Sequence, residues 1–96
     1  MDDIRQQLNL LEKQRLRAVR GVRKLTTVLN YVGAARTELE ALREEGSLSP
    51  TAHQELPDRL QSVEEALSEE VRITQEYIED IRRDQDALWR QLRPPH

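Results

Sequence analysis

Leu25-Thr26-Thr27-Val28-Leu29-Asn30-Tyr31-Val32-Gly33-Ala34-Ala35 contains no charged residue, in a chain that is 34% charged. Wound as a helix, its apolar and small residues cover more than one face, because side chains three and four apart share a side. Leu25, Leu29 and Val32 form one stripe, and Val28 and Ala35 begin a second that continues to Leu42. One stripe suffices for packing on another helix of the same chain. The second is left for something else.

The first stripe extends in both directions. Ile4, Leu11, Ala18, Leu25, Val32 and Leu39 repeat every seven residues, with Leu8, Val22 and Leu29 in the companion position. This is a coiled-coil seam, and it predicts a helix over residues 3–45. Arg15, Arg36 and Arg43 share the companion position and weaken it. Asp2 and Asp3 suit a helix N-terminus, and Gly46 is a good helix stop. In Ser47-Leu48-Ser49-Pro50, Ser49 fits an N-cap and Pro50 the first helical position. Pro57 then either breaks a short helix over 50–56 or interrupts a longer one. The seam resumes over 58–92 with Leu60, Leu67, Thr74, Ile81 and Leu88, accompanied by Val71, Ile78 and Leu92. Glu64 and Gln85 interrupt the companion set, and 93–96 form a tail.

The sequence therefore predicts an all-α fold, a long antiparallel helical hairpin of the coiled-coil type over 1–96, with 46–57 as the connection. Two registers fit. Partner numbers adding to 103 pair Leu11 with Leu92 and Val32 with Val71, and require a helix broken at Pro57. Numbers adding to 96 pair Leu8 with Leu88 and Leu29 with Leu67, require a continuous second helix, and set Val32 against Glu64. A helix break at proline favours 103. A lone hairpin buries one strip per helix, so completion into a bundle by its own copy or by partner helices is expected.

Composition excludes several functions. With 36% hydrophobic residues, 3% aromatic and no Phe, there is little to fill a round core. The net charge of −3 does not favour nucleic acid as the main partner. No Cys is present, which fits an intracellular, soluble setting in cytoplasm or nucleus. No uncharged run has membrane-spanning length, and the acidic start is unlike a targeting peptide. His53 and His96 are the only imidazoles and pair with no second ligand, so no metal is expected. The acidic pairs Glu64-Glu65, Glu69-Glu70 and Glu79-Asp80 lack the dry pocket that acid–base work needs. No enzyme and no cofactor are expected.

Two surface features remain. Lys13, Arg17, Arg20 and Lys24 make a basic ridge turned away from the seam, suited to an acidic partner surface; no aromatic residue interleaves it. Leu25, Val28, Leu29, Tyr31, Val32, Gly33, Ala35, Leu39 and Leu42 make the candidate protein-binding stretch. Gly33, with Ala34 and Ala35, would permit close approach of a helix. The expected partners are other α-helical proteins or a second copy. The expected function is that of an interaction and scaffold subunit of an oligomeric complex. The alternative is a small chaperone or adaptor that shields an amphipathic helix of a client.

Overall fold

The computed structural model describes residues 2–93. The described residues form two helices, α1 over Asp2–Glu44 and α2 over Pro50–Leu92, each of 43 residues. They pack as an antiparallel hairpin, so the all-α expectation holds. The two prolines and His96 of the expected tail lie outside the described residues.

Local chemistry accounts for the turn. Gly46 has φ 72°, a left-handed conformation in which a Cβ would be strained. The Gly46 N–H donates to the Arg43 carbonyl at 3.1 Å and the Ser47 N–H to Leu42 at 3.0 Å. This 5→2 and 6→1 pair is a Schellman stop. On the far side the Ala52 N–H donates to Ser49 Oγ at 3.2 Å, the N-cap expected of Ser49 ahead of Pro50.

Packing divides the chain into two compact units. One joins the described residues up to Arg23 with those from Arg72 onward, and the other is Lys24–Val71. In the first unit Leu8 and Ile81 are buried, and in the second Leu39. The half-buried positions around them follow the four–three spacing. Leu60, Glu64, Leu67, Val71, Thr74, Ile78, Gln85, Leu88 and Leu92 are all half-buried, and every other residue of α2 from Asp58 on except Ile81 is exposed.

Helix α2 passes through Pro57 without a break. The connection therefore shortens from the expected 46–57 to the residues between Glu44 and Pro50. The register moves with it. Gln85 Nε2 donates to Glu12 Oε2 at 2.8 Å, and 12 and 85 add to 97. Arg36 Nη1 donates to Glu64 Oε2 at 2.7 Å, and 36 and 64 add to 100. Leu11 shares a groove with Asp84, Ala87 and Leu88, while Leu92 lies beside Leu8. The observed register falls between the two expected ones: 97 is near the 96 of the continuous-helix alternative, 100 is nearer to 103, and Glu64 meets Arg36 where 96 would set Val32. The cause of the unbroken helix is energetic. Pro57 is half-buried at a seam position, and packing against α1 along that side offsets the lost backbone bond.

The polar interruptions of the seam are answered individually. Arg36 meets Glu64 across the hairpin, so it is Arg36, rather than Val32, that answers Glu64. Arg15 is held by Glu12 of its own helix, with Nε donating to Oε2 at 3.0 Å. Arg43 pairs with Glu40 at 2.9 Å, and its Nη2 lies 3.5 Å from His53 Nε2. Such polar positions fix register at a cost in stability.

The Glu12 site has a pH signature. Hydrogen bonds from Arg15 and then Gln85 hold the Glu12 carboxyl down at about 2, against an ordinary 4.5. A depressed folded-state pKa contributes stability that is complete above the unfolded value and lost as pH falls towards the folded one. The window is therefore from about 4.5 down to about 2. Over that interval the melting temperature of Glu12→Gln should fall less than that of the parent chain in parallel thermal melts. Equal slopes would show that the Arg15–Glu12–Gln85 link contributes nothing in solution.

Candidate helix-docking surface

The structure splits the candidate binding stretch into two sets. Leu25, Leu29 and Val32 are half-buried and Leu39 is buried, so these four belong to the internal seam. Val28, Tyr31, Ala35 and Leu42 are exposed, Tyr31 at 72%. The second stripe is therefore separate from the first. Gly33 is half-buried, and a Cβ built on it would meet nothing within 4 Å. The chain's own second helix does not explain the glycine.

Helix α2 extends the exposed stripe with residues that sequence reasoning passed over. Val28, Ala35 and Leu42 each stand one residue before a seam position of α1, namely Leu29, Arg36 and Arg43. Leu56 and Val63 each stand one residue before a seam position of α2, namely Pro57 and Glu64. The two-fold axis relating antiparallel helices is perpendicular to their common plane, so equal offsets emerge on the same side of the pair. The other unit obeys the same rule. There Gln7 and Leu10 line one groove with Asp84 and Ala87.

Within Lys24–Val71, then, one side of the hairpin displays Val28, Tyr31, Ala35 and Leu42 from α1. It also displays Leu56, Val63 and Ala66 from α2, all seven exposed. The opposite side of the same unit carries Thr26, Glu40, Gln61 and Ser68 at the corresponding offset. Its character is polar. Lys24, Glu38, Arg59 and Glu70 stand at the same offset as the apolar residues, so the contrast makes a two-helix face rich in apolar residues with a defined side, and exposed apolar surface of this kind marks interaction sites.

Among the described residues no side chain is fully buried.

The basic ridge residues Lys13, Arg17, Arg20 and Lys24 are all exposed. Among the described residues, their charges enter none of the ion pairs that engage Arg15, Arg36, Arg43, Arg59, Arg72, Arg82 and Arg83. Lys24 belongs to the Lys24–Val71 unit and the other three to its neighbour. Tyr77 and Trp89 are also exposed. Trp89 lines a groove of about 480 Å³ with Arg5, Leu8, Asn9 and Leu92.

Among the described residues no cluster of His, Asp and Glu is placed to hold a metal ion. No described helix is long and apolar enough to cross a membrane. Comparison with protein-family models, with curated proteins and with solved structures finds no match.

Proposed function

We propose that this chain is a non-enzymatic interaction subunit, a helical hairpin that docks other helices on the face formed by Val28, Tyr31, Ala35, Leu42, Leu56, Val63 and Ala66. The observation that carries this reading is the sidedness of the exposed apolar residues in Lys24–Val71. An amphipathic helix laid into the groove between two helices reads anchors at these three- and four-residue steps. The sparse core favours a subunit over the chaperone alternative. A chaperone must be stable without its client, and among the described residues this hairpin buries only Leu8, Leu39 and Ile81.

Two linked measurements test the reading. A photo-crosslinking amino acid at Tyr31 should form adducts with a helical segment in cells, whereas one at exposed Ser68 on the other side should not. Equal yields at the two positions would sink the docking face. Ala35→Arg should then leave far-UV helicity within error of the parent, since Ala35 is exposed, and abolish the Tyr31 adduct. Loss of helicity instead would assign Ala35 to the internal core.

A further inference from the structure

Besides its apolar residues, the docking face carries charges whose placement selects an occupant. Along α1 the outward stripe runs Lys24, Val28, Tyr31, Ala35, Glu38, Leu42, and along α2 it runs Leu56, Arg59, Val63, Ala66, Glu70. Every one of these residues is exposed. Lys24, Glu38 and Glu70 join no salt bridge among the described residues, and Arg59 reaches only Glu55 of its own helix, at 3.3 Å. The Arg36–Glu64 bond sets the two stripes level within the Lys24–Val71 unit.

Resting on the docking reading above, we infer that the occupant of this face is a second copy of the same chain, related by a two-fold axis parallel to the helices. This operation preserves height and lays α1 of one copy antiparallel on α2 of the other, with both turns at the same end. Opposed residues then have numbers adding to 97 or 98, close to the 100 of Arg36 and Glu64 and within reach of the long arginine side chain. Leu42 meets Leu56 of the partner subunit, Glu38 meets Arg59, Ala35 meets Val63, and Tyr31 meets Ala66. Each large side chain but the leucines faces a small or medium one, as interdigitation requires. Glu38–Arg59 is an opposite-charge layer, and in the layer beyond Tyr31 Val28 faces Glu70, with Lys24 one helical turn from Val28. The surface is thus complementary to itself, the condition for an isologous dimer.

Charge also decides between the two possible two-folds. Residues 24–45 carry three Lys/Arg and four Glu, a net of −1, whereas 50–71 carry one Arg and six Asp/Glu, a net of −5. A perpendicular two-fold would stack the two −5 segments on each other. The parallel two-fold places them on the diagonal of a four-helix bundle, each beside the less acidic helices.

Sedimentation equilibrium on the full chain tests the inference, using Glu38→Arg, Arg59→Glu and the double variant, with helicity as control. The parent should dimerise. Each single reversal disrupts two symmetry-related pairs and should raise Kd roughly tenfold, while the double variant should return to near the parent value. A double variant weaker than either single one would overturn the arrangement, because with α1 on α1 the two reversals would add. A parent chain that remains a helical monomer at high micromolar concentration would overturn the second copy as occupant. The docking face itself would still stand if Tyr31 then crosslinked to a different protein, and would fall if Tyr31 and Ser68 crosslinked alike.

Discussion

Ile81→Asp should abolish cooperative unfolding and most of the far-UV helicity of this chain at 25 °C. Ile81 is the most buried side chain described, at 3% exposure. Truncating a buried Ile to Ala costs about 2–5 kcal/mol, and a carboxylate without a partner adds the cost of desolvating a charge. Small domains have only ~5–15 kcal/mol in total, and this one, with three buried side chains among the described residues, belongs at the low end. Isolated helices are marginal in water, so loss of the seam takes the helices with it. The control lies on the same helix. Ile73 is 45% exposed, and Ile73→Asp should change stability by less than about 1 kcal/mol. Circular dichroism and thermal melts of the two variants check the prediction. Equal losses would mean that Ile73 is covered in solution, and two intact proteins would refute the seam.

The contrast between Ile73 and Ile81 also shows what the sequence discloses. Both are apolar residues in an acidic helix, and composition cannot separate them. Spacing can. Ile81 falls on the four–three series from Leu60 to Leu92, and Ile73 stands one residue before Thr74 on that series. Seam membership is legible in this chain because its periodicity runs through about nine turns, long enough for isolated Arg, Glu and Gln substitutions to read as exceptions. Register is less legible. It depends on how α2 begins, and local rules treat Pro57 as a probable boundary. Continuous packing of the seam outweighs that local preference, and the sequence contains no term for this sum.

The exposed apolar residues of this face were half visible for a related reason. Val28, Tyr31 and Ala35 lie in a run without charges, so their exposure would be conspicuous on any helix. Val63 and Ala66 are embedded in Ser62-Val63-Glu64-Glu65-Ala66, which reads as solvated surface. Glu64 turns out to face the seam and bond to Arg36, leaving Val63 outside. The offset from the seam was the available signal, but using it required knowing that equal offsets share a side in an antiparallel pair. That follows from helix direction, which the hairpin supplies.

Pro57→Ala should raise stability by about 2 kcal/mol and the melting temperature by about 10 °C. Pro57 is the eighth residue of α2, beyond the first turn where proline costs nothing. Its ring removes the N–H that would bond the His53 carbonyl and crowds that carbonyl, at ~3 kcal/mol relative to alanine. Two smaller effects oppose the gain. Proline restricts the unfolded chain, which contributes about 0.4–1 kcal/mol in its favour, and alanine forfeits part of the ring's contact at a half-buried seam position. For a domain near 100 residues each kcal/mol moves the melting temperature by about 4–8 °C. Hydrogen exchange localises the effect. Amides from Thr51 to Leu56 are separated from the body of α2 by the proline and should exchange fastest within that helix in the parent, then gain protection in Pro57→Ala. An unchanged melting temperature with unchanged exchange would mean that α2 begins after Pro57 in solution. The hairpin would then close through the longer connection over 46–57, and its register would shift towards the alternative that pairs Leu11 with Leu92.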